Sequence, residues 1–470
     1  MLTTPAAPVA LAALCAAAAA LAGLPWWLPG RIVALRARVF ARVNGDEGIT
    51  IPGDLVGADR FLEVYSHPAA GGRSRGAALS DLFWYWLSPG AHVHQEHLEA
   101  GARYDAVAAA TRGFLAVPRA EAEEAAARCF ARAMAAAPSG GRAVRLRDLV
   151  MPAWAEFSYE LVFGEPCPRE ARDLIVANAE DVVTSLKCTG LRHMDRRDRL
   201  TRYLAGRLDD VRHPLPGGLT PDEQAFYLQG TFFNTAVVQM SEATAHLLLV
   251  LAQRPGLQAE VRADTGDRRL DQVMAETFRM YPLFGIAHRI TTGDIEVDER
   301  TTIPAGSVLC FDYPAFHRSG VADPGRFDPD RFTPARRREA RAAGGERHIP
   351  FGVAANRPCP AWRLAPIAMR AAVREVLRAR GLASSAAHTR SLPNRGPCLL
   401  LPPDEPPGGA AHRRALLAMR LRDRWEDLWR SLAQLVLGTL MVRDARRRRL
   451  CERHFAAAAA QECPVAHRSG

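Results

Sequence analysis

The sequence predicts a mainly helical protein with a smaller β-rich lobe, and three observations support that fold class. Two stretches repeat apolar residues at helical spacing, "TRGFLAVPRAEAEEAAARCFARAMAAA" and "RDLVMPAWAEFSYELVFG". Residues 220–255 predict one long core helix, because Thr220 suits the N-cap, Pro221 the first turn and Pro255 the end. "IEVDERTTIPAGSVLCF" (295–311) predicts a hairpin with two short strands.

The composition limits the classes of function. The 470 residues are 48% hydrophobic, which is enough to bury a sizeable core, and the net charge of +10 suits an anionic membrane, an acidic protein or a nucleic acid. The basic run "RRREARAAGGER" (336–347) lacks aromatic interleaving and helix-turn-helix spacing, so we expect no nucleic acid partner. Nine scattered cysteines without a CxxC pair argue against a zinc cage, an iron–sulfur cluster and a disulfide scaffold.

The N-terminal segment 1–30 carries no charged side chain. Its stretch "VALAALCAAAAALAGLPWWL" is long enough to cross a bilayer, and Arg31, Arg36, Arg38 and Arg42 follow it. We therefore expect a membrane anchor over 1–30 with the body on the cytoplasmic side. A cleaved export signal and a loosely packed leader are the alternatives.

The C-terminal part is predicted to be a separate extension. "PPDEPPGG" (402–409) is a credible linker, and 403–470 follow it as an extension. One helical face there collects apolar residues with arginines around them: Leu417, Leu421, Trp425, Leu428, Leu432 and Leu435. Such a basic amphipathic helix suits a membrane surface, a partner helix or packing against the body.

The stretch "FGVAANRPCPAW" (351–362) places Cys359 between two prolines. Its thiol could be half of a disulfide, an inert buried group or a thiolate ligand of a metal. Two patterns precede it: "ETFR", with Glu276 and Arg279 one helical turn apart, and "RFDPDRF", with Arg331. We expect the following helix to start within a residue or two of Cys359, which would stabilise a thiolate.

These three patterns, in this order, resemble the cytochrome P450 family of heme-thiolate proteins. The resemblance covers most of residues 150–402 and implies a P450-like heme domain over 42–402. By resemblance, Cys359 is the axial ligand of the iron in heme b (iron-protoporphyrin IX). Glu276, Arg279 and Arg331 would form a structural charge triad, as the Glu-x-x-Arg helix and the proline-containing turn do in that family.

Further cofactor contacts follow from the same resemblance. Arg357 and Arg289 match basic positions that meet the heme propionates, and Phe351 and Gly352 open the cysteine loop. The loop is one residue longer than the usual family spacing. Ala361 replaces a glycine, and Pro358 removes one amide donor. Ala287 and His288 would lie near the substrate.

The long helix departs from the family pattern. The family carries an Ala-Gly-x-Asp/Glu-Thr element there, which relays protons. Aligned on the end of the helix, that element falls on "TAVVQ", so Val238 takes the acid position and Gln239 the alcohol position. Aligned on Glu276, the alcohol position moves to Ser241. We expect Val238, Gln239 and Ser241 to border the distal pocket without an acid–alcohol pair.

Two upstream features stay open. The helix around "YDAVAAATRGFL" lacks the family's basic pair against the heme edge, and either Arg103 or Arg112 would substitute for it. "HVHQEH" (92–97) could hold a metal or form a polar loop at the substrate entrance, and its spacing favours the loop.

The resemblance implies a monooxygenase acting on a small organic substrate in bacterial specialised metabolism. An acidic ferredoxin or flavodoxin with a separate reductase would supply electrons, because the chain has no phosphate-binding glycine motif of a fused reductase. Two alternatives remain. One is an enzyme that uses peroxide or rearranges an N–O or other pre-oxidised substrate, and the other is a catalytically idle partner protein.

Overall fold

The structure is a computed structural model of the 470-residue chain. It describes residues 6–44, 48–138, 141–342, 345, 347–389, 395–403 and 408–462. Residues 404–407 of the predicted linker, 1–5 of the predicted anchor and 463–470 of the C-terminal extension lie outside the described residues.

Helices dominate the described chain, as the sequence predicts. They are α1 Ala6–Asn44, α2 Phe61–Ser66, α3 Ala78–Leu87, α4 Ala102–Leu115, α5 Arg119–Ala136, α6 Leu146–Phe163, α7 Arg169–Leu186, α8 Met194–Ala205, α9 Pro221–Leu228, α10 Val237–Ala252, α11 Pro255–Ala263, α12 Arg268–Met280, α13 Tyr313–Arg318, α14 Pro334–Ala342, α15 Leu364–Ala379, α16 Gly409–Arg448 and α17 Leu450–Glu462.

The strands form small sheets. They are β1 Ile49–Ile51, β2 Ala143–Arg145, β3 Ile286–Ile290, β4 Ile295–Asp298, β5 Thr301–Ile303, β6 Val308–Asp312, β7 Gly381–Ala383 and β8 Pro397–Leu401. In one sheet β6 pairs with β1 in parallel and with β3 antiparallel, and in a second β8 pairs antiparallel with β2 and β7. β4 and β5 form a separate hairpin.

The long core helix is present, and it runs from Pro221 to Ala252 through a π-helical segment, Gln229–Ala236. Thr220 caps it through a capping box with Glu223, because each side chain accepts from the other residue's backbone N–H. Nearly every residue of α10 is buried, so the helix is the central wall of the core.

Two local predictions are corrected by the structure. The region 295–311 contains a third strand, because β6 leaves the β4–β5 hairpin to join β1 and β3. The helix after Cys359 does not start within two residues of it: α15 begins at Leu364, and a turn fills the gap. That turn includes a bond from the Trp362 N–H to the Cys359 carbonyl at 3.2 Å.

One face of the C-terminal extension packs against the body of the protein, which is one of the three roles that the sequence leaves open for it. Met419 packs against Ala383, Leu399 and Leu401, and Ala387 N–H donates to Asp423 at 2.7 Å. α1 runs beside α16, and Met441 and Val442 join Leu82 and Tyr85 of α3. The opposite face of α16 is exposed.

Candidate active site

The cysteine loop is closed by its own backbone. The N–H of Cys359 donates to the Phe351 carbonyl at 2.8 Å, which joins the two ends of the loop. Gly352 adopts φ 74°, and a side chain there would approach the Tyr65 hydroxyl, so the glycine is required at this turn. Arg357 also has a positive φ of 49°. This closed loop holds the Cys359 thiol at a fixed place beside Pro358.

The residue three positions before Cys359 connects this loop to the N-terminal part of the chain. Asn356 Nδ2 donates to the Tyr65 carbonyl at 2.6 Å and to the Ala70 carbonyl at 3.1 Å. Its Oδ1 accepts from Arg73 Nη2 at 2.8 Å. The longer loop is therefore anchored by an amide side chain that uses both of its donors and its acceptor.

Three guanidinium groups meet around Glu96. Arg289 Nη1 donates to Glu96 Oε1 at 2.9 Å. Burial raises the pKa of Glu96, and the positive charges of Arg73 and Arg357 offset part of that rise. Arg357 donates to the Leu98 carbonyl at 2.6 Å and stacks 3.7 Å above the Tyr104 ring. We call Arg73, Arg289 and Arg357 the arginine cluster.

The arginine cluster has more donors than partners. Arg73 is 1% exposed and Arg289 3% exposed. Arg73 Nε and Nη1 and Arg289 Nε are buried without a hydrogen-bond partner. The positive charges of the cluster face the carboxylate of Glu96, and Glu99, whose charge also acts on Arg357, accepts from the backbone N–H groups of residues 73–75. Buried N–H groups of this kind call for further acceptors.

Cys359 and Glu96 are both accessible to water, and they lie close enough for the charge of Glu96 to act on the thiol. The Cys359 side chain is accessible to water, yet burial raises the pKa of its thiol, Glu96 raises it further, and a bond from the Ala361 N–H lowers it. Glu96 is 45% exposed, yet burial raises its pKa as well.

This donor set fits a heme. A thiol that water reaches would supply one iron ligand, and the unpartnered buried donors of the arginine cluster would bind the two carboxylates of a heme. Arg289 and Arg357, both expected from the sequence, lie in the cluster, and Arg73 joins them. Phe351 lies at the base of the loop with its ring edge-on to Phe278 at 6.0 Å.

The structure brings Glu276, Arg279 and Arg331 together. Arg279 donates to both carboxylate oxygens of Glu276, at 2.6 and 2.8 Å, and both residues are buried. Arg331 Nε lies 3.7 Å from Glu276 Oε1. The Asp328 N–H also donates to Glu276 at 2.8 Å, and Arg279 reaches the carbonyls of Pro324 and Arg326. The triad therefore fixes the turn that precedes the cysteine loop.

The core helix has one partly open face. Thr235, Ala236, Gln239 and Met240 are half-buried, whereas residues 241–252 are buried all round. The four positions follow the i, i+1, i+4, i+5 spacing of a single helical face. We call them the open face. Gln239, expected at the distal pocket, lies on it.

Val238 and Ser241, the other two residues expected at the distal pocket, lie off the open face. Val238 is 4% exposed, and Ser241 is fully buried with its hydroxyl donating to the Val237 carbonyl at 2.6 Å. Both side chains are therefore enclosed in packed protein.

Glu242 is engaged elsewhere. It is paired with Arg147 and Lys187. Burial alone would raise its pKa, but Arg147 and Lys187 lower it to about 2. The reversed Ser241–Glu242 pair therefore offers no proton donor near neutral pH.

A histidine reaches the open face from another element. His94 Nε2 lies 2.9 Å from the Thr235 hydroxyl, and its ring borders Gly230 of the π-helical segment. Burial lowers the pKa of His94 to about 4, so the ring is neutral near pH 7. The pair joins "HVHQEH" to the core helix. The sequence signal was this His-rich run, but no pattern in the sequence links it to Thr235.

The other members of "HVHQEH" have separate partners. His92 lies 3.6 Å from Glu223, Glu96 binds Arg289, and both ring nitrogens of His97 are buried without a partner. Among the described residues no group of three metal-ligating side chains converges.

Neither upstream arginine joins the arginine cluster. Arg103 pairs with Glu223 and Arg112 is exposed on α4. Arg73, which sequence reasoning missed, is the third arginine of the cluster and comes from the loop before α3. Of the two residues expected near the substrate, Ala287 is half-buried. His288 is buried, stacked on Phe83 at 4.8 Å, with Nε2 3.3 Å from the Ser80 hydroxyl.

Comparison with known proteins agrees with this geometry. The family model described as Cytochrome P450 matches residues 169–405, half of the chain. Cytochrome P450 monooxygenase phmB of Phaeosphaeria nodorum is 29% identical over 126 residues, covering 23% of this chain and 21% of the relative. Cytochrome P450 monooxygenase ffsD of Aspergillus flavipes is 30% identical over 127 residues, covering 23% of each. The chain thus spans about a fifth of the length of these curated relatives.

Solved structures share the fold. A 6-coordinated cytochrome P450 from Thermus thermophilus has a TM-score of 0.55 at 17% identity, covering 76% of this chain and 99% of that one. The retinoic acid-bound cyanobacterial CYP120A1 has a TM-score of 0.57 at 16% identity, with coverage of 73% and 87%. CYP102L1 reaches 0.58 at 16% identity, with 80% and 97%. With the matching family model, these similarities establish that the chain belongs to the cytochrome P450 family.

Proposed function

We propose that the protein is a heme-thiolate monooxygenase that oxidises a small organic substrate in bacterial specialised metabolism. The observation that carries the proposal is the Cys359 thiol, which is accessible to water on a closed loop near a cluster of buried guanidinium groups with spare donors. Heme b bound there would supply the activation of oxygen, which a thiolate ligand promotes.

Each group on the proximal side has a definite task in this proposal. Cys359 provides the thiolate, and the Ala361 N–H at its sulfur moderates the basicity of that ligand. Arg73, Arg289 and Arg357 neutralise the two carboxylates of the heme. Phe351 and Gly352 keep the loop closed, and the triad of Glu276, Arg279 and Arg331 holds the turn before it.

The open face of the core helix would lie next to the substrate. Gln239 occupies the position at which the family carries an alcohol, and its amide can donate a hydrogen bond. Thr235, one turn earlier, has a hydroxyl that shares a hydrogen bond with His94. We assign proton delivery to Thr235 Oγ1, which the neutral His94 ring orients and to which water would return the proton, in place of the missing acid–alcohol pair.

One observation favours a second candidate. The open face carries no carboxylate, and Glu242 is held in its ion pairs. An enzyme that takes its oxygen from peroxide, or that rearranges an N–O substrate, needs fewer delivered protons. Of the alternatives, this one suits the distal side, whereas an idle partner protein would not need the arrangement at Cys359.

The proposal also includes the protein that donates electrons and the side of the membrane on which the body lies. α14 carries exposed Arg337, Arg338 and Arg341, and Arg363 is exposed beyond the cysteine loop, so this surface suits an acidic ferredoxin or flavodoxin with a separate reductase. Arg370 and Arg374, also expected on that surface, are paired with Asp271 and Asp267. We place the body on the cytoplasmic side, anchored by α1.

The test is the absorption spectrum of the purified protein, ferric and then reduced under carbon monoxide. The wild type should show the long-wavelength band of a thiolate-bound heme, and Cys359→Ser should lose it. A colourless protein that takes up no hemin would overturn the proposal. Turnover with donor protein and reductase, compared with turnover on peroxide alone, then separates the two enzymatic candidates.

A further inference from the structure

α16 presents an apolar stripe to solvent along most of its length. The helix has 40 residues, so it is about 60 Å long. Seven large apolar side chains, between 37% and 74% exposed, recur every three or four residues on one side. They are Leu417, Leu421, Trp425, Trp429, Leu432, Val436 and Leu440. A continuous exposed stripe of this length on a folded protein marks a surface that another phase or molecule covers.

The stripe lies beside a second apolar helix. Arg36 of α1 donates to Gln434, and Phe40 packs so closely on Gly438 that a side chain at 438 would clash with it. In both contacts the residue of α16 lies 398 positions after the residue of α1. The two helices therefore run in the same direction, side by side, with a constant offset. The same offset separates Trp27 from Trp425, which sets exposed tryptophans of both helices at one level.

α1 itself has the composition of a membrane segment. The stretch Leu11–Val43 contains an 18-residue window of mean hydropathy 1.8, and only 6% of that window is buried. The second helix of the described chain with such a window, Pro221–Ala252, is mostly buried in the core. A signal sequence would have the same length and composition as α1, so this helix alone does not identify a membrane protein. The parallel, exposed stripe of α16 is an independent observation.

The charges around the stripe favour an anionic surface. α16 carries ten arginines and four acidic residues. Arg413 and Arg414 are exposed before the stripe begins, and Arg443 and Arg447 are exposed beyond its end. The acidic residues are buried or partly buried, and Glu426 and Asp444 are paired with arginines. A protein partner that covers the stripe would have to be both apolar and acidic along about 35 Å.

We propose that the exposed stripe of α16, with Trp26 and Trp27 of α1 beside it, lies in the interface of an anionic phospholipid bilayer. The leucines and tryptophans enter the boundary between headgroups and acyl chains, and the arginines contact lipid phosphates. Tryptophan is the residue that prefers this depth. The heme domain is then held against the membrane by two helices instead of by an N-terminal segment alone.

The first experiment measures depth with the full-length protein. Vesicles of phosphatidylglycerol and phosphatidylcholine, with brominated acyl chains, quench tryptophans that enter the bilayer. The variant Trp26→Phe, Trp27→Phe removes the signal of α1 while leaving α16 intact. Quenching should persist in this variant and should disappear when Trp425→Phe and Trp429→Phe are added. Absence of quenching in the first variant would show that α1 alone meets lipid, and would overturn the proposal.

The second experiment measures affinity. Leu421→Glu with Trp429→Glu should weaken vesicle binding about tenfold or more, because it replaces buried apolar area with like charge against anionic lipid. Leu55→Glu is the matched control, since Leu55 is 45% exposed in the N-terminal lobe, and should bind as the wild type does. Circular dichroism verifies folding. Vesicles of phosphatidylcholine alone should bind more weakly, and the difference should shrink in high salt.

A second copy of the chain is the competing occupant. If the stripe joins two copies, Leu421→Glu with Trp429→Glu will convert a dimer to a monomer in light scattering, while vesicle binding stays unchanged. That result would also overturn the proposal. Loss of heme has no bearing on either readout, so failure of the proposed monooxygenase function and failure of this inference are separable.

Discussion

Asn356 Oδ1 accepts a hydrogen bond from Arg73 Nη2 at 2.8 Å, so the loop that carries Cys359 is tied to the segment before α3. The same side chain donates to the carbonyls of Tyr65 and Ala70. One amide thus aligns the cysteine loop with the arginine cluster. A longer loop would otherwise be free to shift relative to that cluster.

Asn356→Ala should loosen this connection. It leaves the Arg73 guanidinium and two backbone carbonyls without partners, which costs about 1–3 kcal/mol per buried group. We expect a lower free energy of unfolding in urea and faster transfer of heme to apomyoglobin. Asn356→Asp is the control, because it keeps the acceptor for Arg73 and should retain heme better than the alanine variant. Equal heme loss from both would contradict the assigned role.

Arg73→Met should reduce heme retention without removing the iron ligand. The variant keeps most of the side-chain volume but removes a positive charge from the arginine cluster. Hemin titration should give a weaker dissociation constant, about tenfold or more, while the reduced carbon monoxide spectrum keeps its thiolate band. Arg112→Met, which removes an exposed arginine from α4, is the control and should bind hemin normally.

Thr235→Val should uncouple electron consumption from product formation. The substitution keeps the shape of the side chain and removes the hydroxyl bound to His94. The ratio of product to electrons consumed should fall about tenfold, with an unchanged heme spectrum, and His94→Gln should give a smaller decrease. Ser241→Ala is the control, because that hydroxyl is buried against Val237. A larger effect at Ser241 than at Thr235 would refute this assignment.

Glu276→Gln should destabilise the fold strongly. The substitution leaves Arg279 buried with its charge unpaired, at about 3–5 kcal/mol. Glu375→Gln removes a carboxylate of the same i, i+3 spacing to an arginine, Arg378, which is 69% exposed, and should cost far less, because water already solvates this ion pair. Urea denaturation monitored by circular dichroism compares the two. Similar midpoints would contradict a structural role for the triad.

Mild acid should destabilise the protein, partly through His317. Burial lowers the pKa of His317 to about 4, and the nearby Arg279 lowers it too. Because the unfolded chain binds a proton near pH 6.5, its contribution to stability is complete above that pH and is lost as the pH falls towards 4. The full effect is roughly 3 kcal/mol. Nε2 accepts from the Ile349 N–H at 3.2 Å, a bond that protonation removes.

Urea midpoints between pH 7 and pH 4 measure this dependence. His317→Gln keeps an acceptor for the Ile349 N–H but does not titrate, so its midpoint should fall less steeply over the same range. An identical slope in wild type and variant would show that other groups account for the loss.

Much of the fold was predictable because it depends on local patterns. Short stretches of sequence predict the N-cap at Thr220, the length of the core helix and the order of the three motifs that end at Cys359. The predicted start of α15 and the two-strand prediction for 295–311 were wrong, because turn geometry and sheet pairing there depend on distant residues.

By itself, the sequence determined the family, since the core helix, the Glu-x-x-Arg pair and the cysteine loop keep a fixed order along the chain. Only the tertiary structure decided that Arg73 joins Arg289 and Arg357, and that His94 meets Thr235, 141 positions away. Contacts between residues so far apart follow from how helices and loops pack. Apolar spacing predicts which face of a helix is buried, but it does not predict which distant side chains meet.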